Sequence, residues 1–78
     1  SPMIALDCEG VNLGRPGGKL CLVQIASRKA GVFLFDVIGC PKLFDAGLRE
    51  ICEDPNIVKT IHDCRMDFRA LSAHNVSL

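Results

Sequence analysis

Three runs with strand periodicity open this chain, and helical spacing takes over only after them. Met3–Glu9 alternates and is rich in small and branched apolar residues. Lys19–Ser27 (KLCLVQIAS) and Val32–Ile38 (VFLFDVI) have the same character. Between the first two runs, 12–18 contains Gly14, Pro16, Gly17 and Gly18, which is turn chemistry. Arg28-Lys29-Ala30-Gly31 makes a second tight turn. Connections this short join antiparallel neighbours, so the three runs predict a meander.

The period then changes. Gly39-Cys40-Pro41 interrupts the third run, and Leu43, Phe44, Gly47, Leu48, Ile51 and Cys52 recur at helical spacing. A helix is predicted over about 41–53, and Pro55 closes it, because the residue before a proline is pushed out of the helical region. Ile57–His62 reads as a fourth strand, Met66–Ala73 as a short helix, and Val76 as the start of a fifth strand. A strand–helix–strand crossover places the fourth strand parallel to the one it joins. The class is α/β.

Composition narrows the function. Nine basic and nine acidic residues cancel, so no overall field draws polyanions or membranes. The apolar runs are far too short to span a bilayer. Four Phe are the only aromatics, which leaves little for a stacking platform of the RNA-recognition-motif kind. The five Cys, at 8, 21, 40, 52 and 64, form no C-x-x-C and match no zinc spacing. They read as reduced, buried small hydrophobes, which implies an intracellular compartment, with the cytoplasm expected. At 78 residues the chain is read as less than a full domain.

Three acids are candidates for chemistry. Asp7 and Glu9 are two apart on a strand and so share a face near its carboxyl end. Crowded carboxylates repel one another, and a divalent cation removes that cost; hard oxygen ligands suit Mg²⁺ or Mn²⁺. The plainer alternative is an exposed acidic face. Asp67 falls in the first turn of the last helix, where a carboxylate also caps free amides. If strands one and four are parallel neighbours, Asp7, Glu9 and Asp67 converge at one sheet edge. Asp63 is a competitor, either a fourth acid or a loop cap, with the cap favoured; His74 is read as a surface residue or a partner of the helix end.

Sharper motifs fail. Gly14–Lys19 is no phosphate loop, because Leu13 stands where the pattern needs Gly and Leu20 where it needs Ser or Thr. His62 and Cys64 suggest a thiol enzyme, but no oxyanion donors accompany them.

In order, Ile4–Gly10, Gly18–Ala26, Phe33–Val37, Leu48–Ile51, Asp54-Pro55 and Val58–Asp67 resemble the 3′–5′ exonuclease domain of the DEDD superfamily. Within it, the chain is most similar to the RNase D-like branch containing Egalitarian and the exonuclease 3′–5′ domain-containing proteins. The resemblance implies an RNase H-like mixed sheet, with an antiparallel three-strand meander, then a helix and a parallel fourth strand. It implies two divalent cations, Mg²⁺ or Mn²⁺, held by Asp7, Glu9 and Asp67, and phosphodiester hydrolysis of RNA or single-stranded DNA. It further implies a third motif, Tyr-x-x-x-Asp or His-x-x-x-Asp, on a later helix. That motif has no counterpart here, so residues 1–78 are read as the N-terminal portion of a single exonuclease domain, inactive and marginally stable alone. Phe68-Arg69 stands where the family usually has polar residues. The alternative is a catalytically inactive RNA-binding adaptor of the Egalitarian type. Protein partners or a homodimer complete the expectation.

Overall fold

The computed structural model describes residues 2–78. Strands β1 (Met3–Val11), β2 (Lys19–Ser27), β3 (Gly31–Asp36) and β4 (Val58–Thr60) form one sheet in the order β3-β2-β1-β4. β1–β2 and β2–β3 are antiparallel, as the short turns require, and β1–β4 is parallel. The mixed α/β class, the meander and the parallel fourth strand are all as expected of an RNase H-like sheet.

Register sets the two faces. Leu6 lies opposite Ile25, which lies opposite Phe33, and Cys8 lies opposite Val23 and then Phe35. This face carries the core: Leu6, Cys8, Val23 and Ile25 are buried together with Phe44, Leu48, Cys52, Ala70 and Leu71 from the helical segments. The other face holds Met3, Ala5, Asp7 and Glu9 on β1, with Val32 and Leu34 on β3 and Val58 on β4, all exposed. A bulge sits between Glu9 and Gly10, where Glu9 pairs with Leu22 but Gly10 pairs with Leu20. Cys21 is the extra residue.

Several boundaries differ from expectation. The helix predicted over 41–53 is instead a 3₁₀ turn (Pro41–Leu43), a π turn (Phe44–Leu48) and α1 (Arg49–Glu53). Gly47 is the cause: its φ of 136° and ψ of −18° lie outside helical space, and only glycine adopts them at low cost. β4 is three residues long rather than the predicted 57–62, and β3 stops at Asp36, whose side chain accepts the Gly39 N–H at 2.8 Å. The last helix, α2, runs Cys64–Ser72.

Val76 starts no strand among the described residues. It closes α2. Asn75 adopts φ 61°, and the Val76 N–H reaches back to the Leu71 carbonyl at 3.0 Å, while the Asn75 N–H bonds to Ser72. This is a Schellman closure, and its usual apolar contact is supplied by two buried residues, Leu71 and Val76. Arg49 fastens the same corner by donating to the His74 and Asn75 carbonyls and pairing with Asp45. The His74 ring stacks on Phe44 with centroids 4.9 Å apart, so His74 is a packing residue rather than a free surface group.

Candidate active site

β1 alternates, so Asp7 and Glu9 emerge on the open face while Cys8 between them points into the core. β4 pairs with β1 only from Met3 to Ala5. Beyond that point the β4 side of β1 has no strand beside it. A strand N–H lies in the sheet plane and needs an acceptor there. The Cys8 N–H finds it in Asp67, donating to Oδ2 at 3.0 Å across 59 residues of sequence. The first turn of α2 thereby delivers a carboxylate to the place an extended β4 would have taken. No side-chain capping bond forms at this helix start: Asp63 occupies the N-cap position with φ 48° but makes no cap hydrogen bond. The cap expected of Asp63 is positional only.

Asp67 is 5% exposed and is the one buried charged residue among those described. Burial pushes its carboxyl above the usual carboxylate range, and the negative charge of Asp7 adds to this, whereas the Cys8 N–H works against it. Burial also pushes the Cys8 thiol up to about 12, with Asp67 and Asp7 contributing. The negative charge of Asp7 therefore reaches Asp67 across the edge of β1. A divalent cation would relieve that repulsion, and carboxylate oxygens are the donors Mg²⁺ or Mn²⁺ prefer.

The fit is incomplete. Among the described residues no group of three or more His, Cys, Asp or Glu side chains stands close enough to hold a metal ion. Of the three acids expected to converge, Asp7 acts electrostatically on Asp67. Glu9 lies one pleat farther along β1 on the same face as Asp7, next to the bulge and exposed.

Two neighbours of Asp7, Gln24 and Thr60, escaped the sequence reading, and His62, considered there only as part of a thiol enzyme, joins them. A depression of about 530 Å³ is lined by Asp7, Gln24, Thr60 and His62, with Ala5, Leu6 and Ile61 completing it. Gln24 is there because it lies directly opposite Asp7 in the hairpin. Thr60 and His62 arrive with the end of β4. The hairpin signal was present in the turn residues, but the register that pairs Asp7 with Gln24 depends on the bulge. Of the five cysteines, only Cys8 and Cys52 are buried; Cys40 and Cys64 are exposed, which corrects the uniform reading of buried thiols. No helix among the described residues is long and apolar enough to cross a membrane.

The amino-acid sequence has relatives among known proteins. Three relatives described as piRNA biogenesis protein EXD1 align with about four-fifths of the chain. Those from Mus musculus and Homo sapiens are each 43% identical over 65 residues, covering 81% of this chain. The Xenopus laevis protein is 44% identical over 64 residues, again 81% of this chain. These stretches are only 11%, 12% and 14% of the relatives' own lengths. The family described as 3′–5′ exonuclease matches residues 1–77, nearly the full chain. The chain belongs to the 3′–5′ exonuclease family.

Proposed function

We propose that Asp7, Glu9 and Asp67 are the acids of a metal-dependent 3′–5′ exonuclease acting on RNA or single-stranded DNA in the full-length protein. Residues 1–78 would then be the N-terminal portion of its catalytic domain. The observation that carries the reading is the bond from the Cys8 N–H to Asp67. A buried carboxylate fixed against the strand that bears Asp7 and Glu9 is costly without a counter-charge. Asp7 and Asp67 would hold a divalent cation between β1 and α2, with Glu9 on the same face as Asp7. Such a cation supplies Lewis-acid stabilisation of the charge that develops on a phosphodiester.

The chain's own residues do the positioning. The Cys8 N–H fixes the Asp67 carboxylate, and the strand geometry keeps Asp7 and Glu9 on one side. Gln24, Thr60 and His62 border Asp7 with polar groups able to hydrogen-bond phosphate or sugar oxygens. RNA is favoured as substrate by the relatives described as piRNA biogenesis proteins.

The test is shortening of a 3′-labelled RNA by the full-length protein in Mn²⁺. Asp7→Asn is expected to abolish it, and unchanged activity in that variant would sink the metal assignment. The absence of a three-acid group among the described residues favours a second reading, an RNA-binding adaptor without catalysis. Tight RNA binding by the wild-type protein, with no shortening in Mn²⁺ or Mg²⁺, selects the adaptor.

A further inference from the structure

A second cleft, of about 870 Å³, opens between the β1–β2 loop, the segment after β3 and the outer side of α2. Its permanently charged lining residues are Arg15, Lys19 and Arg69, and no Asp or Glu lines it. All three are exposed, and the ion pair among the described residues, Arg49–Asp45, involves none of them. The chain as a whole is neutral. Three uncompensated cations around one cleft are therefore a local concentration of charge and not a sample of a basic surface.

The same cleft carries apolar surface that the core does not use. Phe68 is 50% exposed and Ile38 is 53% exposed, and both line it. Half-exposed Phe68 and its sequence neighbour Arg69 put aromatic surface and positive charge on the same cleft. Alternating phosphates and flat bases match that combination, since stacking on an aromatic face tolerates any base while cations follow the backbone. We propose that this cleft binds single-stranded nucleic acid, with phosphates at Arg15, Lys19 and Arg69 and a base on Phe68. The proposal deepens the nuclease reading and takes its ligand class from it. Chain connectivity links the two places: the β1–β2 loop follows the strand bearing Asp7 and Glu9, and Phe68 follows Asp67.

The test uses the full-length protein in EDTA, which removes hydrolysis, and follows anisotropy of a short fluorescein-labelled single-stranded RNA across a salt series. Losing three phosphate contacts makes the slope of log K against log salt shallower by about 2, from roughly 0.7 per contact, and weakens binding about 10–50-fold near ~0.15 M salt. Combined Arg15→Gln, Lys19→Gln and Arg69→Gln is expected to do both. Phe68→Ala is expected to weaken binding about tenfold with the slope unchanged. Arg28→Gln with Lys29→Gln, in the β2–β3 turn, is expected to leave both readouts as they are. The single variants Lys19→Gln and Arg69→Gln, each shifting the slope by about 0.7, serve if the triple variant loses its thermal transition. Unchanged affinity and slope in the cleft variants overturns the proposal, as does an equal loss in the β2–β3 turn variant. Displacement of the RNA by polyglutamate as readily as by unlabelled RNA also overturns it and marks an acidic-peptide site. Cleavage in Mn²⁺ is scored separately. Lost binding in the variants of a protein that cleaves nothing leaves the cleft standing and removes the nuclease reading, and normal cleavage with unaltered binding does the reverse.

Discussion

Asp67 combines burial, a hydrogen bond and a like-charged neighbour, and its protonation links folding to pH. Its carboxyl is raised in the folded state by burial and by Asp7. The folded protein therefore binds this proton more tightly than the unfolded chain does. The stabilisation is full below the unfolded carboxyl value of about 3.9 and is lost as pH rises through the higher folded value. Asp67→Asn keeps an oxygen for the Cys8 N–H and removes the charge. It is expected to raise the thermal midpoint at pH 7 in EDTA, with no gain below pH 4, in melts followed by circular dichroism. Mn²⁺ should raise the wild-type midpoint and leave that of Asp67→Asn unmoved. Thiol reactivity gives a second check at this scale. With its pKa pushed up to about 12 and its side chain buried, Cys8 carries almost no thiolate at pH 8. Burial raises Cys52 as well, although Lys59 partly offsets it. Iodoacetamide followed by mass spectrometry should label exposed Cys40 and Cys64 well before Cys8 and Cys52.

Elements were legible where one local signal decided them. The meander followed from alternation and two short turns that contain glycine, with the last helix read over Met66–Ala73, within two residues of α2. The helical stretch before β4 was not, because Leu43, Phe44, Leu48 and Cys52 keep helical spacing while one backbone angle at Gly47 breaks the ladder. Val76 misled for a related reason: an apolar residue after a polar pair looks like a new strand, but Asn75 in the left-handed region turns it back onto Leu71. Asp7, Glu9 and Asp67 could be nominated from the sequence, whereas the backbone bond that holds Asp67 required knowing where β4 stops. The docking of α2 also has a steric lock. Gly14 has φ +74°, and a Cβ there would lie 2.7 Å from the Met66 carbonyl oxygen. Gly14→Ala combines left-handed strain with a backbone clash one residue from Asp67. It is expected to cost about 2–4 kcal/mol in urea denaturation. Gly17→Ala, with a similar φ and open space around it, should cost only about 1–2 kcal/mol.

For the whole molecule, a Cα radius of gyration of 11.7 Å is close to the ~11.5 Å expected of a compact chain this long. Compactness coexists with a one-sided sheet. Leu34, Val32, Met3 and Val58 are 65%, 63%, 55% and 50% exposed on the face opposite the helices. The 78-residue chain alone is expected to bind the dye ANS and to self-associate at high concentration, measured by light scattering. Leu34→Lys should reduce both signals without lowering the thermal midpoint, since Leu34 contributes little to the core.

The strand order also sets a schedule. β1 is first in the chain yet second from one edge of the sheet, between β2 and β4. On a ribosome its β2 side is satisfied almost at once, but β4 and Asp67 emerge some fifty residues later. At about 5–20 residues per second that is a delay of roughly 2–10 s. During it the strand bearing both leading acids shows a bare hydrogen-bonding edge to every other nascent chain nearby. The carboxylates of Asp7 and Glu9, whatever they later bind, are then the charges that discourage a stranger from pairing there.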